Sequence, residues 1–562
     1  MKRKLIIAVL TVTLLGNCGK FDRMLDNPNV PRPDAANADL YLNQVQLSFA
    51  GFFNDASDYG MQVTRMIHMY GPTYTQNWSP QSFDGTWNTA YTSIFKHANA
   101  LIPIAEEQKK YVSLGMAKIL KAYTMMTLVD LFGDVPALEA NLGAENTNPK
   151  VDKGVDIYAA AITLLDQAIA DLAKAPASFP GPLDLFYGAS NAAGAKKWVT
   201  LAKTLKLRAY MITRLVDNTA KSKIDALLTE NDLIDTQAED FEFKYSTKQA
   251  NPNSRHPRYN GNYTSTGTAG DYMAHYFMYL LTQEKGTFSN NVASDKSDPR
   301  TRYYFYRQQI NYANVNENTI NCFGASAPAH YLPGMPFCLG VAGGQIAGFW
   351  GRDHGDNEGI PPDGNLRSTV GVYPFGGDFD SNQGTAVSLN RGAQGAGIQP
   401  IWLSIFTEFL KAEGALMLTT AGNPRTLLES GIRKSFTKVF SFPALNGVTV
   451  PTQYVPDAAR QDTYVNYVLA AYDAATTNSQ RLNIIMKEYY IALWGNGLDA
   501  YNNYRRTGKP ENMQYTMEAD PGAFNRSMIY PSVHVNLNQN AAQKSSQAVQ
   551  VFWDNNPAGF IK

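Results

Sequence analysis

The stretch Ala117–Ala140, AKILKAYTMMTLVDLFGDVPALEA, combines a long helical pattern with a clear signal for where the helix ends. Its apolar positions recur at steps of three and four residues, which predicts a helix over Met116–Leu131 with one mostly apolar face. Gly133 suits the left-handed conformation that often ends a helix, and Pro136 prevents the helix from continuing. The positions on the predicted face are Met116, Ile119, Leu120, Tyr123, Met126, Thr127 and Asp130.

Similar helical patterns lie on both sides of this stretch. Before residue 240 they predict helices over Leu40–Asp58, Asp84–Lys109, Val155–Ala173 and Lys196–Val216. After residue 400 they predict helices over Ile401–Leu418, Asp457–Ala475 and Arg481–Trp494. Residues 241–399 are instead rich in Gly, Pro, Asn and aromatic residues, and only Asp271–Thr282 and Arg300–Gln309 have a helical pattern.

We therefore expect a mainly α protein in which helix pairs resembling tetratricopeptide repeats (TPR) form a scaffold. A loop-rich variable part, residues 241–399, is inserted between an N-terminal helical part, residues 40–240, and a C-terminal helical part, residues 400–562. No linker separates the two helical parts, so we expect one domain over residues 40–562 with a shared core. Long irregular loops in compact proteins are usually functional.

The first residues have the pattern of an export signal. Three basic residues at positions 2–4 precede the apolar run Leu5–Leu15, which is too short to span ~30 Å of hydrocarbon. The run ends in Leu-Gly-Asn-Cys, which resembles a bacterial lipobox and predicts lipid attachment at Cys18 after removal of a signal peptide, residues 1–17. Residues 18–39 are then a tether. The alternative is a simple secretory signal with a chance cysteine. No later segment is expected to be apolar enough to span a membrane.

Composition excludes some partners. Lys+Arg and Asp+Glu both number 49, and this zero net charge argues against nucleic acid as the main partner. Charged residues make up only 17% and aromatic residues 12% of the chain. That balance suits a surface that meets sugars, peptides or another protein through aromatic rings.

The other two cysteines, Cys322 and Cys338, flank a Gly/Pro-rich loop. Export would place them where disulfides persist, so we expect them to form a bridge. The alternative is two buried, unpaired cysteines.

Five segments, in order along nearly the whole chain after the signal, resemble the SusD/RagB family and in particular its SusD-like subgroup. The first is Trp87-x-x-x-Tyr91-x-x-Ile94 with Asn99, and the second is Ala117–Ala140 with its Leu-Phe-Gly-Asp-Val-Pro ending. The others are Gly351–Gly377, Thr407–Leu416, and Ala492–Pro510 followed by Arg526–Asn538.

This resemblance implies an outer-membrane lipoprotein that faces the cell exterior, with four TPR-like helix pairs and no catalytic activity. It also implies a SusC-like TonB-dependent transporter as partner, to which the protein hands a captured oligosaccharide or peptide. An oligosaccharide is favoured because that is the commoner use in the family. No cofactor is expected. The residues after Cys18, Gly-Lys-Phe-Asp, depart from the acidic run that often accompanies surface export.

Aromatic residues outside the helical stripes are the candidate ligand contacts. Tyr70, Tyr74 and Trp78 lie in a predicted loop between helices, where they either contact ligand or fill the gap between helix pairs. Tyr304 belongs to the ring-rich run RYYFYR, residues 302–307, of which at most half can face one side of an extended strand. Around the Gly-rich loop the candidates are Trp350, Arg352, Tyr373 and Phe375. Trp87 and Tyr91 are expected in the core.

The same Gly-rich loop carries four carboxylates, Asp353, Asp356, Glu358 and Asp363. Calcium takes several oxygen ligands, so these are candidates for a metal site, although their spacing does not fit an EF-hand. The favoured alternative is that they cap tight turns through backbone N–H groups.

Two other classes of function remain open. A carbohydrate-active enzyme would need two placed carboxylates, and no nucleophile elbow, phosphate-binding loop or His metal spacing is present in the sequence, so we expect no enzyme. A periplasmic or surface solute-binding protein unrelated to a TonB-dependent barrel would usually alternate strands and helices in two lobes.

Overall fold

The computed structural model describes residues 37–176, 183–188, 191–267, 269–286, 288–289, 292–294, 296–310, 326–337, 341–342, 345–346, 348–357 and 366–562. Within them the protein is mainly α-helical, which confirms the predicted fold class. In the N-terminal half the helices are α1 Ala38–Val63, α2 Asp84–Asn88, α3 Lys96–Glu107, α4 Tyr111–Phe132, α5 Gly154–Leu172, α6 Ala192–Thr213 and α7 Ala220–Glu230. A π-helical segment, Thr89–Phe95, joins α2 to α3.

Among its described residues, the loop-rich middle contains three short helices, α8 Pro257–Asn262, α9 His275–Thr282 and α10 Thr301–Tyr304. The C-terminal part holds α11 Ser404–Leu418, α12 Pro424–Leu445, α13 Ala458–Ala474, α14 Asn478–Ala492, α15 Gly497–Thr507 and α16 Ser532–Leu537. Consecutive helices pack in pairs, α4 against α5, α6 against α7, α11 against α12 and α13 against α14.

Strands are short and pair two by two. They are β1 Phe241–Lys244, β2 Phe288–Ser289, β3 Val292–Ala293, β4 Phe305–Arg307, β5 Val341–Ala342, β6 Gln345–Ile346, β7 Ser368–Val370 and β8 Ile398–Trp402. In the antiparallel pair β1–β8, Phe241 lies opposite Trp402, and in β4–β7, Phe305 lies opposite Val370. β2 pairs with β3 and β5 with β6. The pair β1–β8 joins the two ends of the variable part, and the other three pairs lie within it.

Helix α4 ends where the sequence predicts, with Gly133 at φ +78° and its N–H bonded to the carbonyl of Val129 at 2.8 Å. The prediction of a single buried face is wrong, because α4 is buried on nearly all sides. Among the described residues α4 is also the one helix long and apolar enough to cross a membrane, which corrects the expectation that no later segment is. Its apolar window is 94% buried inside the protein, so it is a central core helix.

Two other predicted helices are only partly present. In Arg300–Gln309 the helix is confined to Thr301–Tyr304, and the chain then enters strand β4 because it pairs with β7. Similarly, Ile401 and Trp402 belong to β8, and α11 begins at Ser404.

Helix α15, which was not predicted from the sequence, packs directly against α1. A Cβ on Gly60 would lie 2.0 Å from the carbonyl oxygen of Gly497, so both positions require glycine for the backbones to approach. One hydrophobic core extends from Ala38 on α1 to Ile561 near the chain end. The N-terminal and C-terminal helices therefore meet directly and hold the loops between them.

Candidate binding site

A cavity of about 670 Å³, here called the loop pocket, forms where three irregular segments meet. One is the loop after α1, one is the segment 326–337 of the variable part, and the third is the chain after α15. The size is within the range of small-molecule sites in proteins. The lining residues are Tyr74, Pro328, Ala329, His330, Tyr515, Thr516, Met517, Glu518, Ala519, Pro521, Gly522, Ala523, Phe524, Arg526, Ala548, Gln550, Ala558, Gly559, Ile561 and Lys562.

Backbone hydrogen bonds hold these segments together. The N–H of Tyr74 donates to the carbonyl of Pro521 at 3.0 Å, and the N–H of Met517 donates to the carbonyl of His354 at 2.9 Å. The side-chain amide of Gln547 donates to Thr75 at 2.8 Å. The pocket wall is thus shared between parts of the chain more than 400 residues apart, on a scaffold of packed helices.

Tyr74 lies at the inner end of the loop pocket and is only 3% exposed. Its hydroxyl accepts a hydrogen bond at 2.9 Å from the buried guanidinium of Arg65, which also donates to the carbonyl of Gln514 at 3.1 Å. Its ring packs edge-on against Phe524 at 5.2 Å. Burial raises the pKa of Tyr74 to about 12, so the hydroxyl is neutral at physiological pH.

Asp353 fixes the variable-part segment that borders the loop pocket. Its carboxylate accepts hydrogen bonds from His275 at 2.9 Å, His330 at 2.8 Å, Tyr331 at 2.8 Å and Gln514 at 2.9 Å. Burial alone would raise the pKa of this carboxyl, but hydrogen bonds from the two histidines hold the pKa far below its usual range. An ionised Asp353 therefore links α9, segment 326–337 and the chain after α15.

The rim of the loop pocket offers accessible groups of two kinds. Tyr515 is 41% exposed and presents an aromatic ring. Glu518 and Gln550 are also exposed and present hydrogen-bonding groups. An aromatic face beside polar side chains is the arrangement that suits a sugar ring, which has apolar faces and polar edges.

Most of the predicted ligand contacts lie elsewhere. Tyr304, Trp350, Tyr373 and Phe375 are fully buried. Tyr304 stacks on Tyr373 with ring centres 5.8 Å apart, and Phe375 packs against Trp494 at 5.3 Å. These four rings are core residues, because helices and strands cover the loops that were expected to expose them.

Arg352 is also buried, and its guanidinium pairs with Asp356 at 3.0 Å and lies over the ring of Tyr272. The run of residues 302–307 is likewise buried on both sides, so it presents no ring to solvent. Trp87 is buried, as expected, and Tyr91 is half-buried against it with ring centres 4.6 Å apart.

The three aromatic residues of the loop after α1 point in different directions. Tyr74 reaches the loop pocket, whereas Tyr70 is 45% exposed on another surface and donates its hydroxyl to the carbonyl of Gly270 at 3.1 Å. Trp78 is half-buried and packs edge-on against Tyr59 at 5.6 Å. Of the predicted ligand contacts, Tyr74 is therefore the one that lines the loop pocket.

The two described carboxylates of the proposed metal loop are already engaged, Asp353 by four donors and Asp356 by Arg352. Glu358 and Asp363 lie outside the described residues, as do Cys18, Cys322 and Cys338. Within the described ranges no group of three or more His, Cys, Asp or Glu side chains could hold a metal ion.

The chain after α15 lines the loop pocket, although it was not predicted to be part of a site. Its segment from Tyr515 to Arg526 has no helical period and contains Pro521 and Gly522. This composition resembles that of the variable part, whose loops were expected to be functional. It is the one feature of the sequence that could have indicated a functional loop here.

Two protein-family models match the sequence. A family model described as "Starch-binding associating with outer membrane" matches residues 34–324, just over half of the chain. A second, described as "Susd and RagB outer membrane lipoprotein", matches residues 396–555. A comparison with curated protein sequences finds no match.

Solved structures share the whole fold. A SusD homolog from Bacteroides fragilis superposes with a TM-score of 0.64 at 18% identity, covering 92% of this chain and 99% of that one. A SusD/RagB family protein from Bacteroides thetaiotaomicron gives 0.62 at 19% identity, covering 93% and 100%. A chitin-binding SusD homolog from Flavobacterium johnsoniae gives 0.60 at 19% identity, covering 92% and 99%.

The helical scaffold presents a pocket between loops, an arrangement that suits the binding of a ligand. The chain belongs to the SusD/RagB family of outer-membrane proteins. Members of this family are binding proteins rather than enzymes, and nutrient binding at the outer membrane is the activity that the family supports.

Proposed function

We propose that this protein captures an oligosaccharide in the loop pocket and delivers it to a SusC-like TonB-dependent transporter. The observation that carries the proposal is the pocket itself, in which the loop after α1, the variable part and the chain after α15 meet. Family membership supports the same reading, because the matching models describe outer-membrane binding proteins.

The lining of the pocket supports a glycan as the ligand. Tyr515 can stack on a sugar face, while Glu518 and Gln550 can bond to its hydroxyl groups. One structural neighbour is described as a chitin-binding SusD homolog. A peptide ligand is the alternative, and it would rely on backbone-directed hydrogen bonds from the same loops.

Localisation at the cell surface is part of the proposal. Acylation of Cys18 would anchor the protein in the outer membrane and raise its local concentration beside the transporter, so weak contacts would suffice to hold the pair together. A Cys322–Cys338 bridge remains a further proposal for the variable part. The expected orientation is toward the cell exterior.

Affinity electrophoresis tests the ligand. The protein runs in native gels that contain soluble polysaccharides, and retardation by at least one glycan is the expected result. Equal mobility in all glycan gels would contradict a glycan ligand. Heat released on titration of mixed short peptides would then identify a peptide as the ligand.

Co-purification tests the partner and the anchor. Full-length, affinity-tagged protein extracted from outer membranes should bring down a β-barrel protein in stoichiometric amount. The Cys18→Ala protein should leave the outer-membrane fraction. Retention of that variant in the outer membrane would contradict the lipid anchor, and absence of any barrel partner would contradict the delivery role.

A further inference from the structure

The lining of the loop pocket includes a lysine that lies over the exposed ring of Tyr515. The amine nitrogen of Lys562 is 5.0 Å from the centre of that ring. The backbone of Lys562 is held in place, because its carbonyl accepts hydrogen bonds from the buried guanidinium of Arg65 at 2.6 Å and from the hydroxyl of Tyr504 at 3.3 Å. The side chain therefore extends from a fixed point, and its amine moves only within reach of the pocket.

The positive charge of Lys562 has no opposite charge beside it. Among the residues that the structure describes, no carboxylate lies within ion-pair distance of its amine. The guanidinium that lines the same pocket is already compensated, because Arg526 donates to the carboxylate of Asp554 at 2.5 Å. A lysine ammonium has three hydrogens to donate and accepts none, so Lys562 offers the pocket an unused cationic donor.

A neighbouring cavity, of about 350 Å³, contains the same combination of lysine and tyrosine. Gln550 lines both cavities. In the second cavity the amine of Lys544 lies over the ring of Tyr530, 4.6 Å from its centre. The hydrogen bonds of this amine go to neutral oxygens, the hydroxyl of Ser527 at 2.7 Å and the carbonyl of Met528 at 2.6 Å.

The second cavity also lacks a free carboxylate for its lysine. Asp134 lines it, but its carboxylate is already bound by Lys153 at 2.8 Å and by the backbone N–H of Gly154 at 2.8 Å. Burial lowers the pKa of Lys544 to about 7, so an anion in this cavity would stabilise the protonated amine. Two adjoining cavities thus each present a lysine whose charge an anionic ligand would compensate.

The position of Lys562 also affects which sugar can stack on Tyr515. A sugar that takes the covered face of this ring has to move the Lys562 amine away, and the contact between the cation and the ring is lost. A neutral sugar does not compensate the displaced charge. A sugar with an anionic group forms an ion pair with the amine while its own ring stacks on the tyrosine.

We propose that the loop pocket selects oligosaccharides that carry negatively charged sugar units, and that Lys562 recognises the charge. This inference rests on the proposed glycan capture and names the class of glycan. Lys544 is placed to compensate a second charged unit in the adjoining cavity. Glu518, the acidic residue of the loop-pocket lining, weakens the binding of an anion by repulsion. Carboxylate and sulfate groups supply the same charge, and the choice of probes distinguishes them.

The experiment is affinity electrophoresis of the purified protein in native gels with acidic polysaccharides and their neutral counterparts. The acidic probes are polygalacturonate, alginate and hyaluronan, which carry carboxylates, and carrageenan, which carries sulfates. Each is matched by the same polymer after its carboxyl groups are reduced to alcohols or its sulfates are removed. We expect at least one acidic polymer to retard the protein at least threefold more strongly than its neutral counterpart, and added salt to reduce the difference.

Three variants assign the effect to the pocket. Lys562→Gln should weaken binding of the acidic polymer about threefold, in the range of an exposed ion pair, and leave binding of the neutral polymer unchanged. Glu518→Gln should strengthen binding of the acidic polymer. Lys296→Gln is the matched control, because Lys296 lies over Tyr467 at 5.4 Å on the surface of α13, and it should bind like the unsubstituted protein.

The outcomes separate this inference from the proposed function. Retardation by neutral polymers alone, or equal retardation by an acidic polymer and its neutral counterpart, would overturn the charge preference and leave glycan capture in place. Retardation by no polysaccharide would contradict glycan capture itself. Equal weakening in Lys562→Gln and Lys296→Gln would show a general attraction to the protein surface and overturn the role of Lys562.

Discussion

The substitution Asp130→Asn tests how the helical scaffold is held together. Asp130 is fully buried on α4. One carboxylate oxygen accepts hydrogen bonds from Arg208 on α6 and Asn502 on α15, both at 2.9 Å. The other oxygen accepts from Trp553 at 3.0 Å and from the hydroxyl of Tyr158 on α5. One side chain therefore joins three other helices and the chain end to the central helix.

Asparagine has the same shape as aspartate but no charge, and one of its oxygens becomes an N–H₂ donor. If that donor faces Arg208 and Asn502, three donors meet without an acceptor. Arg208 keeps its second partner, Asp499, at 2.7 Å, but half of its charge compensation is lost. Removing one charge of a buried ion pair costs about 3–5 kcal/mol.

Thermal unfolding followed by circular dichroism measures this loss. An unfolding entropy of about 2.1 cal/mol/K per residue gives roughly 1 kcal/mol/K for about 500 folded residues, so Tm should fall by about 3–5 °C. The control is Asp225→Asn, which removes an exposed i,i+4 ion pair with Lys221 and should cost below about 1 kcal/mol. Equal shifts for the two variants would refute the role of Asp130.

Three further outcomes follow from the structure. Asp353→Asn should weaken the hold on segment 326–337 and speed chymotrypsin cleavage at Tyr331 several-fold; an unchanged cleavage rate would show that the segment is held by other contacts. Trp350→Ala should leave a core cavity and lower the free energy of unfolding by about 3–5 kcal/mol, while the folded protein keeps its affinity for ligand. Loss of affinity at an unchanged Tm would instead show that Trp350 contacts the ligand. Burial lowers the pKa of His68 to about 4, so between pH 4 and ~6.5 the unfolded chain binds more protons and stability falls by about 2 kcal/mol from pH 7 to pH 5. His68→Asn should flatten this dependence of Tm on pH, and an equally steep profile would be evidence against a neutral buried His68.

Local periodicity predicted α4 to α6 and α13 to α14, because these helices repeat an apolar pattern and have clear ends. It missed α7, Ala220–Glu230, and the long helix α12, Pro424–Leu445. It also failed for α15, Gly497–Thr507, whose polar residues are nearly all buried. Arg505 and Asn502 there pair with partners on other helices, among them Asp130. A pattern that counts apolar residues cannot detect an element that is buried through ion pairs and hydrogen bonds.

The site was harder to predict than the fold for a related reason. Trp350, Tyr373 and Phe375 lie in a loop-rich sequence, which favoured exposure, yet short strands and the helices beneath bury them. Conversely, Tyr515 lies at the rim of a pocket that forms only where three segments, distant in sequence, meet. Which rings face a ligand is decided by contacts between these segments, and their sequence separation hides such contacts from any local pattern.

Capture of a glycan in the loop pocket is tested most directly by calorimetric titration of two tyrosine variants. Tyr515→Ala removes an exposed ring at the rim of the pocket, and Tyr467→Ala removes a ring that is 39% exposed on α13, away from it. We predict that an oligosaccharide from a broad panel binds the unsubstituted protein and Tyr467→Ala equally, and binds Tyr515→Ala about tenfold more weakly, a loss of about 1.4 kcal/mol. Equal affinities for all three proteins, or no heat from any oligosaccharide, would contradict the assignment of the loop pocket as a glycan site.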